Sequence, residues 1–448
     1  MYSKRQNNMN QLTQDQQSAW DDFFAFLMND EKYYLLYGKP GVGKTFLVGK
    51  IAAEMFNIYK TACSAMDLPV EYEHAEFCAT TNKAAEVLER SLNVPVRTIH
   101  SYLSLNVKKD YEKGKTFLVQ THPKSISRTV VFIDEASMID QEMFNYIHKS
   151  TPNSKVVFIG DAAQLSPVGS DISPIFEHVS EDSRYFLTQP VRNVDSPPLM
   201  NLCDQLRDTV ETGNFHPISS VPGTITYLSS SEMQSTLQDY FVNDSKDARI
   251  LCYSNSRVQL FNASIREMQG RPDNYEPGEV LVAARNYFRK PIQLSVEREM
   301  TVLDVEESPR SGGYASYTPD KKEIPFLRYS VLLSSNGSQI ELDVPCDFSY
   351  AEQTLANIKR KKDWPMFFQF MDKFADVRPR FASTVYKAQG STYDTSFIDL
   401  GNIGTCRDPK QVARMLFVAA SRARNKVYLF GQLPGRYMKE NYQWTENN

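Results

Sequence analysis

The chain lacks the features that mark secreted, membrane-spanning or zinc-binding proteins. Its six cysteines are scattered without a closely spaced pair, so we expect reduced thiols and no zinc site. No apolar run approaches the roughly 18 residues that a membrane span needs. The polar N-terminus has no apolar signal-peptide core, and repeats and low-complexity tracts are missing as well. These absences predict a soluble, cytoplasmic protein without a membrane partner.

The sequence also has no excess of positive charge. The formal net charge is −4 over 448 residues, of which 41% are apolar and 23% charged. This is an ordinary globular composition, so any contact with nucleic acid must come from a local basic groove. The length predicts two to four domains, because a single core does not grow to this size.

The most specific motif is the octapeptide GKPGVGKT, which begins at Gly38. It follows an apolar run at 33–37 and precedes a helical pattern at 45–53, the context that identifies a phosphate-binding loop. Backbone N–H groups of such a loop surround the phosphates. Lys44 would bridge the β- and γ-phosphates of ATP, and Thr45 would bind Mg²⁺. The predicted nucleotide-binding residues are Gly38, Pro40, Gly41, Val42, Gly43, Lys44 and Thr45.

Two further apolar segments, 129–133 and 155–159, are typical of buried parallel strands that end in polar residues. The carboxyl ends of parallel strands face the crevice where ligands bind. Asp134 would hold Mg²⁺ through water, and Glu135 would polarise the attacking water. Gln164 is a neutral donor that can sense a γ-phosphate. Together the strands predict an α/β fold of the doubly wound type.

The order of the motifs resembles superfamily 1 helicases, specifically the RecD/Dda branch of superfamily 1B. The resemblance extends from residue 12 to about residue 430. One departure is Tyr386, which stands where the family usually has histidine; its ring can stack on a base and its hydroxyl can donate. The segments that carry the resemblance are LTQDQQ at 12–17, CATTNKAA at 78–85, TIHS at 98–101, GDAAQLSPV at 160–168, LTQPVR at 187–192, STVYKAQGS at 383–391 and LFVAASRAR at 416–424.

This resemblance implies an ATP site that is completed by a second domain. Gln16 would contact adenine, and Arg192 and Arg422 would act on the γ-phosphate as arginine fingers. A solvated basic helix end is the alternative for Arg422. The implied catalytic residues are Lys44, Glu135, Gln164, Arg192 and Arg422, with Gly390 added to the nucleotide-binding set. The implied DNA-binding residues are Thr80, Asn82, Lys83, His100, Phe117, Pro167, Asn255, Thr384, Tyr386 and Lys387.

The resemblance further implies two RecA-like P-loop motor domains, each carrying an insertion. The first insertion is a β-hairpin and the second an SH3-like β-barrel with a helical extension that braces the first domain; short strands alternating with turns fit the latter. The expected boundaries are 1–102 with 129–190 for the first motor domain, 103–128 for the hairpin, 191–270 with 378–448 for the second motor domain, and 271–377 for the barrel.

Within the family the hairpin is a pin that splits the duplex, and Phe117 is the candidate aromatic at the fork. A surface hairpin with Phe117 packed underneath is the alternative. In the basic, aromatic stretch 359–370 we expect the aromatic residues to pack inside their own domain. Its lysines fit either a solvated surface or contacts with phosphates.

The expected function is an ATP-driven, 5′ to 3′ DNA helicase and single-strand translocase acting in replication, recombination or repair. The polarity comes from the resemblance alone. Single-stranded DNA and duplexes with a 5′ tail are the expected partners, ATP and Mg²⁺ the cofactors, and a monomer the expected state; a single-strand-binding protein is left open as a partner. An RNA-directed motor is the alternative. A non-catalytic binding module is disfavoured, because Lys44, Thr45, Asp134, Glu135 and Arg422 are all present.

Overall fold

Two parallel sheets organise the molecule, a computed structural model that describes residues 11–167, 172–191, 196–243, 247–307, 326–333 and 338–437. The N-terminal part contains helices α1 Gln14–Leu27, α2 Lys44–Ala65, α3 Asn82–Leu92, α4 Ile99–Tyr102, α5 Gln141–Ser150 and α6 Ile175–His178. Its strands are β1 Tyr33–Gly38, β2 His74–Ala79, β3 Val96–Thr98, β4 Leu105–Asp110, β5 Lys115–Gln120, β6 Ser127–Asp134, β7 Asn153–Gly160 and β8 Arg184–Leu187.

In the rest of the chain, helices alternate with strands of a second parallel sheet, a five-stranded antiparallel sheet and the two-stranded antiparallel pair β12–β13. Its helices are α7 Pro197–Thr212, α8 Ser230–Gln238, α9 Asn255–Met268, α10 Phe348–Arg360, α11 Trp364–Lys373, α12 Leu400–Ile403 and α13 Pro409–Ser421. Its strands are β9 Ile225–Leu228, β10 Ala248–Cys252, β11 Val280–Ala283, β12 Tyr287–Arg289, β13 Ile292–Leu294, β14 Glu299–Glu307, β15 Phe326–Leu333, β16 Gln339–Pro345, β17 Val377–Pro379, β18 Ala382–Thr384, β19 Tyr393–Asp399 and β20 Ala423–Phe430.

The first sheet is wholly parallel, in the order β3-β2-β6-β7-β1-β8. Alternate residues of β6 enter different cores: Val130 and Phe132 pack with α1 and α2, whereas Val131 and Ile133 pack with α5. Both faces are therefore covered, which explains the continuous apolar runs of the strands. Because β6, β7 and β1 are neighbours, the three polar segments that follow them meet at one edge.

Helix α2 is longer than the sequence pattern predicted. The prediction ended at residue 53, but the helix continues to Ala65. Its buried positions Ile51, Met55, Tyr59 and Cys63 recur every four residues and face the core. Burial of this apolar stripe stabilises the helix beyond residue 53.

The second sheet is also parallel, in the order β18-β10-β19-β20-β9. Helices α7 and α13 pack on one face, and α8 and α9 on the other. Ala163 and Leu165, from the segment after β7, are buried in the same core cluster as Leu199 and Leu416. The chain that leaves the first sheet is thus packed into the core of the second.

The part of the chain between α9 and β18 contains an antiparallel sheet in the order β16-β15-β14-β11-β17. Its core includes Leu281, Met300, Tyr329 and Val344. The SH3-like barrel remains a prediction, as do the boundaries of all four domains. In the basic, aromatic stretch 359–370, Phe370 packs with Phe326 and Phe374, as predicted for packing within the same unit. Trp364 differs from the prediction, because its ring lies against Gly114 of the hairpin β4–β5.

Strands β4 and β5 pair antiparallel in the first part of the chain, with Lys108 opposite Phe117. Because β4 extends to Asp110 and β5 begins at Lys115, the turn of the hairpin spans residues 111–114. Within the described residues, no helix is both long enough and apolar enough to cross a bilayer.

Candidate ATP and strand-binding site

The phosphate-binding loop joins β1 to α2 at the carboxyl edge of the first sheet. Gly41 and Gly43 have φ angles of 81° and 80°, a left-handed conformation that glycine adopts readily. A Cβ atom on Gly43 would also lie only 2.5 Å from Nε2 of Gln16. The loop thereby directs backbone N–H groups to the start of α2, where the helix dipole favours an anion. This geometry is compatible with the predicted phosphate site.

Lys44 is folded back onto its own loop. Its ammonium donates to the backbone oxygens of Gly38 and Lys39, at 2.7 and 3.0 Å. Burial lowers the pKa of Lys44, while the charges of three nearby carboxylates oppose this shift. A bound phosphate would exchange these carbonyl acceptors for stronger, charged ones.

Asp134 is the last residue of β6, and Glu135 follows it directly. Burial, reinforced by the charge of Glu135, raises the pKa of Asp134 to about 7. Glu135 has a φ of 55°, an unfavourable conformation for a residue with a Cβ that is often found at functional positions. A divalent cation would supply the positive charge that this carboxylate pair attracts. The donor set, these oxygens with the hydroxyl of Thr45, suits Mg²⁺, which prefers oxygen ligands and retains several waters.

Gln389, which follows β18 of the second sheet, contacts two predicted catalytic residues, Glu135 and Gln164. Nε2 of Gln389 donates to Oε1 of Gln164 at 3.2 Å and to Oε2 of Glu135 at 3.4 Å. Its own Oε1 is buried and has no hydrogen-bond partner among the described residues. Gln389 lies inside the segment STVYKAQGS but is not among the predicted site residues. The available signal was its position directly before Gly390, a predicted nucleotide-binding residue.

A buried ion pair joins the segment after β7 to α7. Nη1 of Arg207 lies 2.7 Å from Oδ1 of Asp161, and the two side chains are 6% and 0% exposed. Arg207 also pairs with Glu211 at 2.8 Å, and its guanidinium lies over the ring of Phe186. Arg207 is not among the predicted site residues, because nothing in the sequence of a single helix indicates that an arginine is buried.

Two more contacts cross between the sheets at this edge. Nζ of Lys39, in the phosphate-binding loop, lies 2.6 Å from Oδ1 of Asp204 on α7. Arg414 on α13 donates to the backbone oxygens of Ala162 and Gln164, each at 2.5 Å. Side chains of the second part of the chain therefore hold both the loop and the segment after β7.

Gln16, assigned to adenine by resemblance, is buried and already bonded. Its Nε2 donates to the backbone oxygen of Val42 at 3.0 Å. Its Oε1 accepts from the backbone N–H of Thr13 at 3.1 Å, as part of the capping box of α1. Gln16 thus connects the first helix to the phosphate-binding loop, and its contact with adenine stays a prediction.

Of the two predicted arginine fingers, Arg422 lies within the described residues and Arg192 does not. Arg422 is buried at the end of α13, where it donates to the backbone oxygens of Val418 and Ser391, each at 3.2 Å. Its burial argues against the solvated helix end considered as the alternative. Arg192 lies outside the described residues. The finger role of both residues stays a prediction.

The strand-binding candidates of the first part follow β2. Oγ1 of Thr80 donates to the backbone oxygen of Glu135 at 3.3 Å, which links this segment to the backbone of the predicted catalytic residue. Helix α3 begins at Asn82, and the next residue, Lys83, lies 3.7 Å from Glu86. A strand bound to this segment would therefore lie next to Glu135, which is predicted to belong to the ATP site.

The candidates of the second part lie around the end of β18. Nζ of Lys387 donates to Oδ1 of Asn255 at 3.3 Å, and Thr384 is buried at the strand end. The hydroxyl of Tyr386 donates to Oε1 of Gln411 at 2.9 Å, and burial raises the pKa of Tyr386 to about 12. In place of the usual histidine, this chain has a protonated hydroxyl that is engaged inside its own domain.

The remaining predicted DNA-binding residues, His100, Pro167 and Phe117, differ in how far they are exposed to solvent. His100 is half-buried in α4, and burial lowers its pKa, so the imidazole is neutral at neutral pH. Pro167 is buried. Phe117 is 45% exposed on β5, which argues against the alternative that it packs beneath the hairpin.

Two family models match the chain. An AAA domain matches residues 11–215, and a UvrD-like helicase C-terminal domain matches residues 379–430. The two matches contain the phosphate-binding loop and the segments around Gln389 and Arg422, respectively.

Individual proteins match nearly the whole chain. The ATP-dependent DNA helicase dda of Enterobacteria phage T4 is 23% identical over 93% of this chain and 98% of its own length. An uncharacterised protein, R530 of Acanthamoeba polyphaga mimivirus, is 22% identical over 89% of this chain and 95% of its own. Among solved structures, Pif1 helicase from Bacteroides in complex with ADP-AlF3 and single-stranded DNA has a TM-score of 0.51 at 14% identity, covering 96% of this chain and 94% of that one. This last similarity concerns the fold.

Proposed function

Because the chain belongs to the superfamily 1B helicases of the Pif1/Dda type, we propose that it is an ATP-dependent DNA helicase that moves 5′ to 3′ along single strands. It would use ATP with Mg²⁺, act as a monomer on single-stranded DNA and 5′-tailed duplexes, and serve replication, recombination or repair. The polarity, the oligomeric state and the pathway are the parts of this proposal that rest on the family alone.

The observation that carries the proposal is the contact of Gln389 with Glu135 and Gln164. The residue that would polarise the attacking water belongs to the first sheet, whereas its amide partner follows β18 of the second. Hydrolysis would therefore depend on how the two sheets approach each other. Since Thr80 follows β2 of the first sheet and Lys387 follows β18 of the second, relative movement of the sheets would move a strand that is bound to both segments.

Contacts of the hairpin β4–β5 support its role as a rigid pin. Nζ of Lys109 lies 2.5 Å from Oδ1 of Asp372 on α11, and the rings of Tyr111 and Phe368 meet edge to face at 5.3 Å. These contacts would brace the hairpin from the predicted helical extension. Phe117 would then be held, partly exposed, where a ring can cap the last base pair. Opening each step of DNA costs about 1.4 kcal/mol of stacking.

The proposal is tested with tailed duplexes under single-turnover conditions, comparing 5′ and 3′ tails with ATP and Mg²⁺. We expect unwinding from the 5′ tail only, and none with Lys44→Ala. Unwinding from the 3′ tail alone would refute the polarity but not the motor. ATPase activity that single-stranded DNA does not stimulate would refute the motor. Single-stranded RNA of the same length serves as the matched control and separates the DNA motor from an RNA-directed one.

A further inference from the structure

The phosphate-binding loop is bonded to two elements besides the strand and the helix that it joins. Nε2 of Gln16, on α1, donates to the backbone oxygen of Val42 at 3.0 Å. In the segment 188–191, which follows β8, the backbone N–H of Val191 donates to the backbone oxygen of Gly41 at 2.8 Å. The loop is therefore held at two successive residues, once by α1 and once by this segment.

Both elements also approach Gly43, the residue before Lys44. A Cβ atom on Gly43 would lie 2.5 Å from Nε2 of Gln16 and 3.0 Å from Cγ2 of Val191. Each separation is shorter than the optimal distance between non-bonded heavy atoms, about 3.5–4.0 Å. A shift of either element would therefore change the space around the glycine that precedes the predicted phosphate-binding lysine.

Asp15 anchors the segment 188–191 to α1. Its Oδ2 accepts from the backbone N–H groups of Thr188 and Gln189, at 2.7 and 2.9 Å, and from the hydroxyl of Thr188 at 3.2 Å. Its Oδ1 accepts from the hydroxyl of Tyr185 at 3.3 Å. A carboxylate binds such donors more strongly than a neutral acceptor does. The residue before Gln16 thus fixes the second element that holds the loop.

The anchored segment is also a wall of the cleft. Thr188 and Pro190 line the same cavity as Lys39 and Gly41 of the phosphate-binding loop, together with residues of α7. A carboxylate at the start of α1 therefore determines where one side of the cleft lies relative to the loop.

We propose that Asp15 is a positioning residue for nucleotide binding. It acts through the segment 188–191, which holds Gly41 and Gly43 in the conformation that receives the phosphates. The inference rests on the proposed function, because it requires that the loop binds ATP. The alternative is that Asp15 only stabilises the first turn of α1, where the helix dipole favours a negative charge.

The first test compares Asp15→Asn and Asp15→Ala with Asp21→Ala, which removes an exposed aspartate of the same helix that is bonded to Gln17 at 3.0 Å. Binding of the fluorescent nucleotide mant-ADP is titrated with Mg²⁺ present. Asp15→Ala leaves two backbone N–H groups without their charged acceptor and should weaken binding about tenfold or more. Asp15→Asn keeps an oxygen for them and should weaken binding only about two- to threefold. Asp21→Ala should match wild type.

Two outcomes of this titration would overturn the inference. One is equal affinity for Asp15→Ala and Asp21→Ala. The other is equal affinity for the alanine and asparagine variants of Asp15, because the helix dipole responds to the lost charge, which is the same in both. Partial unfolding lowers the amplitude of the titration and leaves the Kd of the folded fraction unchanged, so lost stability does not imitate the expected result.

The second test asks whether Asp15 acts through the segment 188–191. Val191→Ala removes Cγ2, which lies near Gly43, and should weaken mant-ADP binding about two- to threefold. In the Asp15→Ala background it should have no further effect, because the segment is already released. Effects that multiply in the double variant would contradict this route. Should Asp15→Ala fail to fold, Asp15→Asn and Val191→Ala must each still bind mant-ADP more weakly than Asp21→Ala, or the inference fails.

Wild-type protein separates the two levels of the argument. If it does not bind mant-ADP, the proposed function fails and the inference fails with it. If it binds, but the variants of Asp15 match the Asp21→Ala control, only the inference is lost.

Discussion

Removal of either partner of the Asp161–Arg207 ion pair should have unequal consequences. Arg207→Met leaves the carboxylate of Asp161 fully buried without its cation. Only the backbone N–H of Ala163 would still donate to Oδ1, at 3.0 Å, and Oδ2 has no hydrogen-bond partner among the described residues. Asp161→Asn, in contrast, leaves Arg207 paired with Glu211 and stacked on Phe186.

The burial and the remaining partners of the two residues determine how much unfolding free energy each substitution should cost. A buried charge that loses its partner costs about 3–5 kcal/mol, which we expect for Arg207→Met. Asp161→Asn removes one charged hydrogen bond, but it keeps an oxygen for Ala163 and leaves the arginine compensated, so we expect about 1–2 kcal/mol. In the double variant no charge is stranded, and its cost should fall below that of Arg207→Met alone.

Urea denaturation followed by circular dichroism measures these free energies, with Arg90→Met as a matched exposed control. Arg90 carries a comparable ion pair with Glu86, at 2.5 Å, on the surface, and its loss should cost less than about 1 kcal/mol. Equal costs for Arg207→Met and Asp161→Asn, or a double variant equal to the sum of the two, would refute the reasoning.

Three further predictions concern other contacts. Gln389→Ala should lower DNA-stimulated kcat on the order of tenfold or more, since it removes a partner of Glu135, which we propose polarises the attacking water; steady-state ATPase assays measure this, and an unchanged kcat would count against the proposed role of the contact. Lys109→Met should slow unwinding while leaving translocation along single strands unchanged, because it removes the brace to Asp372; equal loss of both rates would contradict it. Burial lowers the pKa of His100, so its contribution to stability is present above the ordinary value of about 6.5 and is lost as pH falls. His100→Gln should therefore lose less stability than wild type between about pH 7 and pH 5, as measured by urea midpoints, and parallel losses would exclude this role.

The nucleotide half of the site could be predicted from the sequence because its parts are local. A buried strand, a glycine-rich loop and a helix follow one another within a few residues, so one segment specifies its own geometry. The strands that end at Asp134 and Gly160 are likewise recognisable from apolar runs alone. Their meeting at one edge follows from the general rule for parallel sheets, and the neighbouring strands β6, β7 and β1 obey it.

The contacts between the sheets could not be predicted, because they join residues far apart in the chain. Gln389 and Gln164 are 225 positions apart, and Arg414 is 252 positions from Ala162. No periodicity within either segment specifies such a pair. The burial of Arg207 is of the same kind, since it depends on an aspartate presented by another sheet. The prediction for helix α2 was wrong for a different reason. Its apolar spacing is visible in the sequence, but the predicted end lies too early in the chain.

The segment after β7 belongs structurally to both halves of the molecule, and this explains why its contacts matter for coupling. Its strand lies in the first sheet, yet Leu165 is buried in the second core and Asp161 is neutralised by Arg207 of α7. If the two sheets separate, this segment must either leave the second core or draw away from Glu135, because it cannot keep both sets of partners. The distance between the two sheets therefore determines where this segment lies relative to the residues that would activate water. An enzyme with this connection would hydrolyse ATP at a rate set by the state of the cleft, and the strand in the cleft would set that state.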